Sequence, residues 1–244
     1  MPRFKIIIQY DGTDFRGWQL QKNERTIQGE LESSLKKING NNAIRVHGAG
    51  RTDTGVHATG QVAHFDLDTA LDTNILKNAL NGNLPAEIRI MNCNQVLDTF
   101  HARFSAKKRY YIYRTRNNCY LLDRNYTWST EKIDLVKLNN VAKLINGEHD
   151  FTSFSRNNNL EHRRCIIYES LWKKDNKIVT YHITGNRFLH HMVRYLVGTM
   201  IEVAREKFEF KKFKELINRP LENVNIFKAP PQGLVLTKVE YDQN

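Results

Sequence analysis

From Phe4 to Tyr10 the chain alternates, with Phe4, Ile6, Ile8 and Tyr10 on one side and Lys5, Ile7 and Gln9 on the other. A sustained period of two is the mark of a strand with one buried face. The same period returns over Arg109–Thr115, where Tyr111 and Tyr113 share one side and Tyr110, Ile112 and Arg114 the other. Between and beyond these strands the apolar spacing turns helical. Ile27, Leu31, Leu35 and Ile38 fall on one face, with Thr26 placed as N-cap. A second helix is predicted over about Asn74–Leu80, closed by the turn Asn81-Gly82, and short strands around Ile44–His47, Gln61–Phe65 and Ile88–Val96. In the second half, Leu135, Leu138, Val141, Ala142 and Ile145 mark a helix. Ile166–Trp172 and Ile178–Ile183 flank Lys174-Asp175-Asn176 as a hairpin. Leu189–Ala204 carries the strongest helical pattern, Phe210–Ile217 a shorter one, and Leu234–Tyr241 closes as a strand.

This mixture lacks the steady strand–helix rhythm of a doubly wound sheet. It predicts an α+β protein of two similar RRM- or ferredoxin-like halves, each an antiparallel sheet with helices on one face. The halves are placed at residues 1–105 and 106–244, and the stretch near 100–107 reads as a continuation rather than a tether. No apolar run approaches the roughly 20 residues that span a bilayer, so no membrane association is expected. The apolar stretch after Met1 is too short for a signal peptide. Cys93, Cys119 and Cys165 are odd in number and far apart, which suggests neither a zinc site nor a disulfide framework. The cytoplasm is the expected compartment.

The formal net charge of +11 is unevenly placed. Residues 1–100 hold 11 basic and 11 acidic side chains, so the whole excess falls in residues 101–244. Such asymmetry points to a polyanionic partner. Within Arg103–Arg116, the cations Arg103, Lys107, Lys108, Arg109, Arg114 and Arg116 are interleaved with Tyr110, Tyr111 and Tyr113, with no acid among them. Cations neutralise phosphates and tyrosine rings stack on unpaired bases. The plainer reading, an amphipathic strand with core tyrosines and solvated charges, must hold for some of them, since one face has to be buried.

The segment Gly48-Ala49-Gly50-Arg51-Thr52-Asp53-Thr54-Gly55-Val56-His57-Ala58 sets one carboxylate among residues that let the backbone bend tightly. Asp53 is a candidate nucleophile or general acid/base, which Arg51 would help keep ionised. Its plainer role is an Asx-type turn bond. His47, Asp53, His57 and His64 invite a metal reading, but the glycines and Thr52 argue against a helix that would align ligands, and no second carboxylate cluster completes a coordination sphere. No metal is expected. His190-His191 is read as one ring facing solvent and one packing locally. Arg194 borders the apolar stripe of Leu189, Val193, Leu196 and Val197, where a cation either finds a partner or reaches past the stripe to solvent.

These residues resemble the tRNA pseudouridine synthase A family over nearly the whole chain. The resemblance runs through Tyr10-Asp11-Gly12, Gly17-Trp18-Gln19, the Gly50–Ala58 segment and Asn83-Leu84-Pro85. It continues through Phe100–Ala106, Asp150–Phe154, Phe188–Arg194 and Gly233–Leu236. It implies isomerisation of uridine to pseudouridine at positions 38, 39 and 40 of the tRNA anticodon stem-loop. It also implies a homodimer whose two subunits share one tRNA, with no metal or organic cofactor. Asp53 matches the family's catalytic aspartate; Arg51 and Arg194 match basic positions around it, Arg194 as its ion-pair partner. Leu234 or Leu236 matches the apolar wall of the pocket. Counting from Phe104-Ser105-Ala106 puts Tyr111 at the position that stacks on the target base, with Lys107, Lys108 and Arg109 as further substrate contacts. The rival class is a non-catalytic RNA-binding protein of two RRM-like halves, which would keep the basic tyrosine strand but would not need Arg51-Thr52-Asp53. A nucleic-acid phosphodiesterase would need a metal or a histidine pair and has little support.

Overall fold

The computed structural model describes residues 1–118, 120–156 and 162–242, so Cys119 lies outside the described residues. The elements run β1 (Arg3–Tyr10), α1 (Ile27–Ile38), β2 (His47–Gly48), β3 (His57–Asp66), α2 (Thr73–Asn83), β4 (Ile88–Val96), β5 (Ala106–Asn117), β6 (Trp128–Thr130), α3 (Leu135–Ala142), β7 (Gly147–Asp150), β8 (Arg164–Asp175), β9 (Ile178–Gly185), α4 (Met192–Ala204), α5 (Phe210–Asn218) and β10 (Leu234–Tyr241). The protein is therefore of mixed α+β class. It divides into two compact units, residues 1–107 with 235–244, and residues 108–234. Among the described residues no helix is long and apolar enough to cross a membrane.

In the first unit the sheet order is β4-β1-β3, with β2 antiparallel to β3 on the other side. A β-α-β-β-α-β chain with that order is a split βαβ, ferredoxin-like arrangement. The opening alternation becomes the buried row Phe4, Ile6, Ile8 and Tyr10. Register is pinned at the strand end, where the Arg3 guanidinium grips Asp66 through Nε–Oδ1 (2.7 Å) and Nη2–Oδ2 (2.8 Å), opposite one another in the ladder. β10 joins β3 in parallel, Val235 beside His57 and Leu236 beside Ala58, which is why the last residues sort with this unit. The second unit orders its strands β5-β9-β8-β7, antiparallel throughout, with β6 parallel to β5. Its elements β5, α3, β8, β9 and α4 follow the succession β1, α1, β2, β3 and α2. The neighbours β5-β9-β8 likewise match β1-β3-β2.

Three local expectations differ from the structure. Ile44 and Val46 are buried with Arg45 exposed between them, but the stretch is not a strand: its backbone is held by side chains, Val46 N–H donating to Glu32 Oε1 (3.0 Å) and Gln28 Nε2 donating to Val46 O (3.1 Å). Helix α2 runs through Asn81-Gly82 to Asn83, because the Asn81 amide spans to β4, accepting from Ile90 N–H (2.8 Å) and donating to Ile90 O (3.0 Å). Helix α4 begins at Met192 rather than Leu189, since His191 takes a left-handed conformation with φ 63°.

His64 on β3 is buried beside His101 and His47, with ring centroids 4.6 and 5.0 Å away. Its Nδ1 accepts the Ala102 N–H at 3.1 Å. Burial, then the charges of His101, Arg3 and His47, push its pKa down to about 4. Between that value and the ordinary one near 6.5 the unfolded chain takes up a proton that the folded chain does not. Stability is thus full above about pH 6.5 and falls as pH drops towards 4, by up to about 3 kcal/mol. Denaturation midpoints across this range should fall less steeply for His64→Gln than for the wild type; equal slopes would contradict the assignment.

Candidate active site

Asp53 lies on the loop between β2 and β3, half-buried, with Arg51 exposed and Thr52 buried beside it. The loop is fixed from several sides. Trp18 N–H donates to Thr52 O (3.0 Å), Val56 N–H to Asp53 O (3.1 Å), Gly55 N–H to Phe15 O (3.3 Å) and Ala49 N–H to Val62 O (2.7 Å). Beneath it, the buried Tyr10 hydroxyl and Thr52 Oγ1 share a bond of 2.8 Å, and Gln61 Nε2 donates to Gly50 O (2.9 Å). Burial pushes the Tyr10 phenol up to about 12, so it stays a neutral brace.

Two glycines permit this closeness. A Cβ on Gly12 would lie 2.0 Å from Val56 O, and one on Gly17, already at φ +89°, 2.7 Å from Thr52 O. His57 does not belong to the loop but heads β3, where its Nδ1 accepts the Gly12 N–H at 3.0 Å. The result is a carboxylate on a backbone that has little freedom left to lose on binding.

In the second unit, the three tyrosines of β5 have different surroundings. Tyr113 is fully buried and its hydroxyl donates to Pro230 O (2.7 Å), while Gly233 lies so close that a Cβ would sit 2.7 Å from the ring. That is a core role. Tyr110 is half-buried on the opposite side of the strand. Tyr111 is 9% exposed and meets the Phe188 ring edge-on, 5.2 Å between centroids. Arg109 Nη1 donates to Asn186 O (2.6 Å), and the Lys108 ammonium lies 5.4 Å from the Tyr168 ring centroid. Lys107, in the first unit, pairs with Asp242 at 2.9 Å on the surface.

Arg194 stands in the first turn of α4 and is 8% exposed. Its Nε donates to Ala229 O (2.8 Å), and Ala229 N–H donates back to Arg194 O (2.9 Å). One turn on, a Cβ at Gly198 would lie 2.3 Å from Phe227 O. Residues 227–229 are therefore strapped tightly against α4, and the strap leads to Leu234, which is buried at the start of β10. Leu236 is buried in the first unit, paired with Ala58. His190 is exposed and His191 half-buried, their ring centroids 3.8 Å apart.

The sequence shows Tyr10 and Trp18 within motifs but not their bracing role, nor that of Gln61.

A family model described as tRNA pseudouridine synthase matches residues 6–105 and 141–242. A protein of a Geobacillus species is 40% identical over 246 residues, covering 98% of each chain. One from Ehrlichia chaffeensis is 39% identical over 245 residues, covering 98% of this chain and all of its own. A third, from Dictyoglomus thermophilum, is 40% identical over 246 residues, covering 99% of this chain and all of its own. All three carry the name tRNA pseudouridine synthase A. Identity at this level, sustained from end to end through both units, means that the chain belongs to the tRNA pseudouridine synthase A family.

Proposed function

We propose that this enzyme isomerises uridine to pseudouridine at positions 38, 39 and 40 of the tRNA anticodon stem-loop, with Asp53 as nucleophile. The observation that carries the reading is the family match through both units. The carboxylate on its braced loop is consistent with it. A target within a stem must leave the helix before it can react, which calls for an aromatic platform as well as an acid. Tyr111 is assigned as that platform, Leu234 and Leu236 as apolar wall, Arg51 as a nearby cation, and Arg194 as the ion-pair partner of Asp53. In the reaction the N1–C1′ bond breaks, the uracil turns, C5 bonds to C1′, and the proton lost from C5 is balanced by one gained at N1. Atoms and oxidation state are conserved, so the chemistry needs no redox partner. The resemblance also supports a homodimer acting on one tRNA, and the sparse cysteines favour the cytoplasm.

RNA binding should weaken steeply with salt, because each neutralised phosphate releases counterions. Charge removal at Lys107 and Lys108 should weaken tRNA binding more than removal at Lys36 and Lys37, which close α1 in the charge-balanced first hundred residues. The Lys107–Asp242 pair is solvent-exposed and does not alter this expectation. Equal losses at the two places would refute the placement of the basic surface. The function itself is tested by incubating purified protein with unmodified tRNA transcript and mapping pseudouridine. Conversion at 38–40 is expected, and its absence, or conversion elsewhere, would refute the proposal.

A further inference from the structure

Strand β8 does not keep a regular register with β9. Ile167 pairs with Gly185 and Glu169 with Thr184, so Tyr168 is an extra residue on the β8 side. A bulge of this kind re-aims one side chain and is common beside active sites. Here it turns Tyr168 outward. The ring is 49% exposed, whereas Ile167 and Ser170 on the same strand are buried. The Lys108 ammonium lies 5.4 Å from its centroid, a cation–π geometry.

The ladder shows where this pair stands. Arg109, next to Lys108, pairs with Gly185, the residue that Ile167 also faces across β9. Tyr168 and Lys108 therefore lie at one end of the sheet of this unit, on the face opposite Arg109 and Tyr111, because successive side chains of a strand alternate. The neighbouring acid, Glu169, accepts a hydrogen bond from Thr184 Oγ1 at 3.5 Å. An outward ring with a lysine ammonium against it matches unpaired RNA, whose bases stack on aromatic faces while its phosphates take the charge.

We infer that Tyr168 is a base-stacking residue for the RNA substrate, with Lys108 taking an adjacent phosphate. The naming of tRNA as that RNA rests on the functional reading above. Tyr168 is a contact for a nucleotide other than the target, which is assigned to Tyr111.

Titration of an unmodified tRNA transcript against four variants tests it. Tyr168→Ala should weaken binding roughly 5- to 150-fold, the effect of losing one stacked base. Tyr168→Leu, apolar but not aromatic, should be as weak as alanine, while Tyr168→Phe, which keeps the ring, should bind like the wild type. Lys108→Gln should lower the slope of log affinity against log salt by about one. Wild-type affinity in Tyr168→Ala, or phenylalanine as weak as alanine at an unchanged melting temperature, would overturn the inference. The titration reads stacking whether or not uridine is converted, so a wild type that binds tRNA without modifying it would overturn only the catalytic reading.

Discussion

Arg194→Ala is expected to abolish pseudouridine formation and also to destabilise the fold, by about 1.5–3 kcal/mol for a buried hydrogen bond from a charged donor. The structural half of this expectation comes from geometry. The guanidinium Nε holds Ala229 O at 2.8 Å, so truncation leaves a buried carbonyl without its donor and loosens the strap on α4. A loss of that size in a chain of this length lowers the melting temperature by roughly 3–12 °C. The catalytic half comes from the proposed ion pair with Asp53, which truncation would remove. Arg194→Lys separates the two. It keeps the charge but loses the planar fork, so it should recover part of the stability and little of the activity. Thermal melts read beside single-turnover assays check both halves. An alanine variant that melts and turns over like the wild type would contradict the role given to Arg194.

How far the sequence could be read depended on the range of the contacts involved. The row Phe4, Ile6, Ile8 and Tyr10 and the helix over Ile27–Ile38 were legible because burial on one face imposes a period on neighbouring residues. The end of α2 was not, since Asn81-Gly82 has turn chemistry and only a bond to Ile90 on β4 explains why the helix continues. Ile44–Val46 looked like a strand for the same reason: burial was visible, but the side chains of Gln28 and Glu32 that replace a ladder were not. In the site, Asp53 stood out through its local setting of glycines, arginine and threonine. Its brace did not, because the Tyr10–Thr52 and Gln61–Gly50 bonds join residues far apart in the chain. Tyr113 and Tyr111 are the same residue type two positions apart. The place of Tyr113 in the core is fixed by a hydrogen bond to Pro230, across 117 residues of sequence.

Asp53→Asn is expected to have the largest effect on chemistry and the smallest on structure. Asparagine is nearly isosteric and keeps one carbonyl acceptor, and the backbone bonds at Thr52, Asp53 and Gly55 and the Tyr10–Thr52 bond remain. What disappears is the charge and the carboxylate oxygen proposed as nucleophile. The loop should therefore keep its shape while the reaction stops. Affinity for tRNA should change by no more than about tenfold, or roughly 1.4 kcal/mol, and could tighten as a charge that repels phosphate is removed. A non-catalytic RNA-binding protein would show no such separation, because it has no step for the carboxylate to perform. The most direct test is single-turnover pseudouridine formation by Asp53→Asn, measured beside tRNA binding by the same preparation. Background conversion with near wild-type binding is the predicted result; conversion at close to the wild-type rate would contradict the account.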